Sequence, residues 1–429
     1  MKVAFVAAPF SGHINPISAL ARRFAKRGHD VLLVSTEEAR PTAVASDLRF
    51  IAYATQTYPY GSIRRVLEET SKLEEPQVYP ALSNLLIGLQ KTLMKELPSL
   101  LREISPDGIV LDIVPFSVGL VPMRLGIPYV NVSCGLHGDY SGFTPHCFFD
   151  WRHEETPEAF ARNKEGVQRF LEILKPRFAL AKEYAVSVGL FDLDFADPLI
   201  GISKLGWITQ IPKIFDFVNP HQPSQLVYTG PFHDGEGRPT IGFPWDDLTG
   251  EPIIYASMGT VHQGLTSVLQ TIAKIIGRRS GYQLVMAIGP VVDIEAVRSA
   301  LPSFSSAIIV NQAPQIELLK RSALFITHAG LNSTLESLAQ GVPMVAVPVS
   351  SDQPGIAVRI EYTNVGKFVP LKELTTQSLA SLVDEVLTNP IYYQKAQAIK
   401  QILAKENGIE KAVDILESTF KKATAEASA

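Results

Sequence analysis

The stretch Ala323–Pro348, ALFITHAGLNSTLESLAQGVPMVAVP, decides the fold. ALFITH predicts a strand, AGLNSTLESLAQG the helix after it, and PMVAVP the next strand. Strand, helix, strand in this order requires a parallel sheet covered on both faces, with right-handed crossovers. In such sheets ligands bind where a strand's carboxyl end turns into a helix. That edge is where His328 falls. Gly330 lets backbone approach a ligand, and Asn332 and Ser333 open the helix, whose free N–H groups and positive dipole end suit a diphosphate. Asn-Ser at a helix start is also ordinary capping. A second cluster separates the two readings: Asp352 and Gln353, after the next strand, set an acceptor and an amide beside the same cradle. Glu336, one turn into the helix, can accept from a ribose hydroxyl. A diphosphate at one end and a polyhydroxylated ring at the other describe a nucleotide sugar.

The same alternation extends through the chain. PIIYASMG, YQLVMAIG and AIIVN precede the stretch, each followed by a helix-length segment, and KVAFVAA, DVLLVS, GIVLD and PYVNVS repeat the pattern near the N-terminus. PISALARRFAKRG reads as a helix with Ile17, Leu20, Ala21 and Phe24 on one face, and residues 79–103 as a longer one. GPFHDGEGRPTIGFPWDDLTGEP, dense in Gly, Pro and Asp, is the linker between two doubly wound α/β units. Residues 1–230, 231–252 and 253–390 are thus predicted as N-terminal domain, linker and C-terminal domain. Residues 391–429 form C-terminal helices that pack back toward the N-terminal domain. Residues 135–225 break the rhythm and are rich in aromatics, Phe143 and Phe148 among them; they form a binding wall, a mobile lid or the core of a helical subdomain.

The 429 residues carry 39 basic and 43 acidic side chains, a net charge of −4, which gives no electrostatic case for nucleic acid. No run approaches the about 18 apolar residues of a membrane span, which leaves at most peripheral membrane contact. The apolar N-terminal run is short and broken by Pro9, so it reads as a strand rather than a signal sequence. Cys134 and Cys147 have no metal or redox spacing, and a reducing, cytoplasmic compartment is expected.

His13 follows the first strand and Asp112 ends another strand of the same sheet. An imidazole held by a carboxylate has a fixed tautomer and raised basicity, as needed to deprotonate an alcohol. Alone, each residue reads as a loop polar group or a cap; opposite a nucleotide-sugar site they read as a base and its orienting partner. His137, His146 and His153 fit no zinc spacing.

APQIELL…FITHAGLNSTLESLAQGVPMVAVPVSSDQ, Ala313 to Gln353, resembles the donor-binding signature of family 1 UDP-glycosyltransferases. GHINP at Gly12–Pro16 and YASMGT at Tyr255–Thr260 match the same family, so the resemblance covers nearly the whole chain. Within the family it is most similar to bacterial enzymes of the zeaxanthin glucosyltransferase and macrolide glycosyltransferase kind. The resemblance implies a GT-B fold: two Rossmann-like domains, the first binding acceptor and the second nucleotide sugar across a cleft. It implies that His328, Asn332 and Ser333 hold the diphosphate with Thr260, that Glu336 binds ribose, and that Asp352 and Gln353 bind the sugar. Gly12, Ser257, Gly259, Gln312, Ala313, Gln315 and Gly330 complete the implied donor site. His13 and Asp112 match the catalytic pair, and Phe10, Pro115, His137, Phe143 and Phe148 are the candidate acceptor contacts. Plant members carry a Trp that stacks on uracil where this chain has Gln312, which leaves uracil and thymine both open.

The expectation is an inverting, metal-independent transferase without a cofactor, moving a hexose, glucose first, from a UDP-sugar to a hydroxyl on an apolar small molecule. A monomer or weak dimer is expected. The alternatives are a sugar-nucleotide epimerase or hydrolase, which needs no large apolar wall, and a catalytically silent binding relative, which needs no His13–Asp112 pair.

Overall fold

The computed structural model describes residues 1–70, 78–114, 116–233, 235–237, 241–259, 265–290 and 292–428. Pro115 and Thr260 lie outside them.

Two parallel sheets organise the chain. The first contains β1 (Lys2–Val6), β2 (Asp30–Ser35), β3 (Arg49–Ala52), β4 (Gly108–Asp112), β5 (Tyr129–Ser133), β6 (Trp207–Thr209) and β7 (Leu226–Tyr228), in the order β3-β2-β1-β4-β5-β6-β7. The second contains β8 (Ile253–Ser257), β9 (Gln283–Ala287), β10 (Ile308–Val310), β11 (Ser322–Thr327), β12 (Met344–Ala346) and β13 (Gly366–Phe368), in the order β10-β9-β8-β11-β12-β13. Helices cover both faces, so central strands are apolar at every position instead of alternating. Val3, Ala4, Phe5 and Val6 are all fully buried. In each sheet the order reverses direction beside the first strand. The switch points therefore lie between β1 and β4 and between β8 and β11, where an open α/β sheet has its ligand crevice. His13 and Asp112 follow or end the first pair of strands; Gly259 and His328 follow the second.

Three elements sharpen or alter the sequence expectation. The first helix spans Ser11–Lys26, so it starts before Pro16, takes His13 into its first turn and holds Pro16 inside. The aromatic region contains the long helix Pro157–Ser187 and β6, and β7 follows it. The tail is two helices, Pro390–Glu406 and Gly408–Ser428, broken at Asn407 with φ +42°. The break lets one amphipathic tail serve both sheets. Ala396 and Ile399 bury against the second sheet. Ile409, Val413, Leu416 and Phe420 join the core of the first, beside Ile17 and Phe24. Burying such side chains contributes about 1.5–3 kcal/mol each. Ion pairs line the same seam: Arg27 binds Glu410 and, at 2.5 Å, Asp414, while His29 Nε2 lies 2.9 Å from Glu417. The two crossings between sheets touch at Gly230 and Gly408, where a Cβ on Gly408 would sit 2.4 Å from the Gly230 carbonyl carbon. Among the described residues no helix is long and apolar enough to cross a membrane.

Candidate active site

The catalytic candidates meet at the first switch point. His13 Nδ1 lies 3.0 Å from Asp112 Oδ2 and 3.1 Å from Oδ1. Asp112 is fully buried and held by two backbone donors, Ala8 N–H on Oδ2 at 3.0 Å and Val114 N–H on Oδ1 at 3.3 Å. The carboxylate thus has a fixed direction, and it accepts a hydrogen bond from the Nδ1–H of the imidazole. That leaves Nε2 as the basic nitrogen. The His13 side chain is 19% exposed, enough to face a substrate. Burial alone would depress its pKa. The Asp112 charge, the hydrogen bond to it and the farther Asp352 outweigh burial, and the pKa is raised above the ordinary 6.5.

At the second switch point His328 is enclosed by glycines. A Cβ on Gly330 would lie 2.4 Å from its Nε2, and one on Gly259, where φ is +80°, 2.7 Å. Backbone and imidazole therefore form one surface without intervening side chains. Gly330 caps the helix Leu331–Gln340 with no side-chain cap, so the first-turn N–H groups face the crevice. Ala329 stands at φ +62° and Ser351 at φ +60°, both in loops that rim this crevice. Non-glycine residues held in that region cost of order 1–3 kcal/mol and cluster at functional sites. Sequence inspection has no signal for them, because neither residue type favours that conformation.

Asn332 does not cap its own helix. Its Nδ2 donates to the Gly12 carbonyl at 2.8 Å, and its Oδ1 accepts from Gln210 Nε2 at 2.9 Å. Gln210 also donates to the Cys134 carbonyl at 2.6 Å, which ties the loops after β5 and β6 to the second domain. Asp352 likewise crosses the cleft. Its Oδ2 accepts from Leu136 N–H at 2.7 Å, and burial lifts its pKa against the opposing pull of that bond and of His13. Gln353 turns its Oε1 onto the N–H groups of Val349 and Ser350, bracing the loop before its helix. Gln315 donates to Glu336 Oε2 at 2.6 Å and Ser333 Oγ at 3.2 Å, which brings three expected donor residues together. Ser257 ends β8 partly exposed; Ala313 is buried, and Gln312 is exposed at the rim.

The acceptor candidates divide. Phe10 sits edge-on to His13 with ring centroids 6.4 Å apart and lines a narrow cleft of about 20 Å³ with Tyr53, Leu86, Leu89, Gln90 and Arg177. Arg177 Nε donates to Gln90 Oε1 at 3.0 Å and Nη2 donates to the Val114 carbonyl, so this guanidinium also holds the loop after Asp112. His137, Phe143 and Phe148 fall elsewhere, and Pro115 lies outside the described residues. His137 is buried against Asp216 at 3.1 Å and Tyr228 at 3.2 Å. Phe143 stacks on Phe160 at 5.1 Å, and Phe148 packs on Phe170 at 4.7 Å. An aromatic-rich segment that contains a 31-residue helix spends its rings on packing that helix. Asp216 also binds Arg359 of the second domain at 2.7 Å, both nearly fully buried, with the guanidinium 4.2 Å over the Phe217 ring.

Residues 249–411 match the family model described as UDP-glucoronosyl and UDP-glucosyl transferase. The chain is 25% identical over 420 residues to zeaxanthin glucosyltransferase of Pantoea ananas, covering 97% of this chain and 95% of that protein. It is 24% identical to NDP-glycosyltransferase YjiC of Bacillus subtilis, covering 98% and 97% respectively. Two crystal structures share the fold. The calicheamicin glycosyltransferase CalG4 superposes with a TM-score of 0.74 at 18% identity, covering 98% of each chain. Glycosyltransferase VinC in complex with DTDP gives 0.69 at 15% identity, covering 98% and 100%. With glycosyltransferase relatives aligned along nearly its full length, this chain has the GT-B fold and carries in its second half a UDP-glucoronosyl and UDP-glucosyl transferase domain, at residues 249–411.

Proposed function

We propose that the chain transfers a hexose, glucose first, from a UDP-sugar to a hydroxyl group of an apolar small molecule, with inversion at the anomeric carbon. The observation that carries this reading is the His13–Asp112 pair at one switch point, facing the glycine-enclosed His328 and helix N-terminus at the other. Nε2 of His13 takes the proton of the acceptor hydroxyl. The oxygen bonds to the anomeric carbon as the bond to the diphosphate breaks, and UDP leaves with the electron pair. The helix N-terminus and His328 meet the charge of the leaving diphosphate, so no resident metal is required.

In this reading residues 1–230 hold the acceptor and 253–390 the donor, with 231–252 between them. Residues 391–429 return toward the first domain. Glu336 and Gln315 face the ribose, and Asp352 and Gln353 the sugar. Phe10, Leu86 and Leu89 provide apolar surface to the acceptor, and a zeaxanthin glucosyltransferase and an oleandomycin glycosyltransferase among the relatives support a hydrophobic acceptor class. The exposed Gln312 offers no aromatic plane to a base, so thymidine diphosphate sugars belong in the test.

The test incubates the protein with UDP-glucose or TDP-glucose and a panel of phenolic, terpenoid and macrolide alcohols, read by mass spectrometry and by NMR of the anomeric centre. A β-glucoside formed by the wild type and lost in His13→Ala supports the reading. Free glucose or epimerised donor in place of a glycoside overturns it.

A further inference from the structure

Cys134 is the first residue after β5, and β5 pairs with β4 so that Asp112 lies opposite Val132. This places the thiol beside the His13–Asp112 pair. One ligand atom from each of His13, Asp112 and Cys134 lies within 4.8 Å of the other two. Cys134 is 2% exposed and Asp112 fully buried. We propose that these three side chains form a binding site for a thiophilic divalent cation of the zinc class, and that its binding blocks transfer.

Bonds of about 2.0–2.2 Å to N and O, and about 2.3 Å to S, give tetrahedral ligand–ligand edges of roughly 3.3–3.6 Å. The His13–Asp112 separation of 3.0–3.1 Å is already within a few tenths of that. From the 4.8 Å bound, the thiol needs to draw in by roughly 1.2–1.5 Å at most. The surroundings are those of a supported site. Ala8 and Val114 N–H orient the carboxylate, and Gln210 Nε2 holds the Cys134 carbonyl at 2.6 Å. His13 opens toward the cleft, which leaves the fourth position to water.

Charge also balances. A neutral imidazole, a carboxylate and a thiolate present two negative charges to a dication. On binding, the Cys134 thiol releases its proton to solvent. Nδ1 bonds the metal in place of its proton, and the imidazole proton moves to Nε2. The nitrogen assigned as base then carries hydrogen and accepts none. Only this inhibitory consequence rests on the proposed function; the site itself does not.

The experiment titrates the full chain, wild type, Cys134→Ser and Cys134→Ala, with zinc and cadmium chloride. Binding is followed by calorimetry and by the near-ultraviolet absorption of a cadmium–thiolate bond, with UDP affinity of each variant as the check on folding. The expected result is one cation per chain, released by EDTA, and zinc affinity weaker by about tenfold or more in both variants, the scale on which even outer ligands count. The thiolate absorption is expected to vanish with the thiol. Turnover, where present, loses zinc sensitivity by the same factor. Equal zinc affinity in wild type and folded variants, or no thiolate signal in the wild type, overturns the proposal. Stoichiometric binding in a protein that glycosylates nothing would instead count against the proposed function alone.

Discussion

Asn332 donates to the Gly12 carbonyl at 2.8 Å, and Pro16 is the reason that carbonyl is available. Within a helix the Gly12 carbonyl would accept from the N–H four residues on, and proline has none. The unused acceptor points out of the first turn, one residue before His13, and the second domain's Asn332 fills it. Domain contact and base position are thereby one interaction. Asn332→Asp would set a second acceptor against the carbonyl and leave both unsatisfied, at about 1–3 kcal/mol. A lower Tm and a lower turnover are expected together. An unchanged Tm by calorimetry would mean the contact is absent in solution.

His13→Ala is expected to lower turnover on aliphatic alcohols by about 10²–10⁴ while leaving UDP affinity nearly intact. Phenols, being already acidic, lose less. A comparable loss on both acceptor classes would make His13 a positioning residue.

The pH dependence follows from the raised His13 pKa. The base works when neutral, so kcat/KM falls as pH drops through that raised value. Asp112→Asn removes the largest upward influence and leaves burial, so the acidic limb moves to lower pH while the maximum falls. Stability has the opposite sense. A raised folded pKa contributes stability that is fully present below about 6.5 and lost as pH rises through the folded value. The share of the wild-type advantage over Asp112→Asn that is due to His13 should therefore shrink with rising pH. A pH–rate profile with an unmoved acidic limb counts against the pairing.

Gly330→Ala places a methyl 2.4 Å from His328 Nε2, and Gly259→Ala places one at 2.7 Å in a left-handed backbone. His328 must turn away from the crevice in either case. UDP affinity is expected to fall by about tenfold or more, or ~1.4 kcal/mol. Gly259→Ala also costs stability, about 1–2 kcal/mol from its positive φ. Unchanged UDP binding in calorimetry would remove His328 from the diphosphate site.

Arg359→Met leaves Asp216 buried with its cation gone, a loss of about 3–5 kcal/mol, and Asp216→Asn in the same chain should recover much of it. Burial opposes the charge of Asp216, but Arg359 and His137 hold its pKa well below the usual carboxylate range. The stability it contributes is present above the unfolded value of about 3.9 and is lost as pH falls toward the folded one. Acid unfolding curves for the two variants check this; a double variant no better than the single would show that the pair is not coupled.

Phe143→Ala is expected to lower Tm without altering acceptor preference, since its ring packs on Phe160. Leu89→Ala, on the cleft beside Phe10, should raise KM most for the largest apolar acceptors, at about 25 cal/mol per Å² of lost contact. Acceptor profiles that change with Phe143 and not with Leu89 would reverse the assignment.

What the sequence determined by itself was the pattern of its strongest local signals. Apolar runs alternating with helical periods yield two parallel sheets, because strands buried on both faces have no other way to cover themselves. Strand-end positions then put His13, Asp112, His328 and Asn332 on ligand-facing edges. Three short strands left no such mark: β6, β7 and β13 have three residues each, as β10 and β12 do, but lack longer apolar runs such as AIIVN and PMVAVP around them, and two of them lie within or just after the aromatic region. Pairs across the cleft were also illegible. Asn332 with Gly12, Asp352 with Leu136 and Arg359 with Asp216 lie between 143 and 320 residues apart, and hydrogen bonding at that range leaves no trace in local composition. The same holds for the aromatic residues, whose identity announces burial of ring surface but not the partner that buries it. Only tertiary packing decided that Phe143 and Phe148 support a helix, that His137 serves Asp216, and that Cys134 stands beside the His13–Asp112 pair. Local chemistry selects which groups can act, and the closing of two domains selects which of them meet.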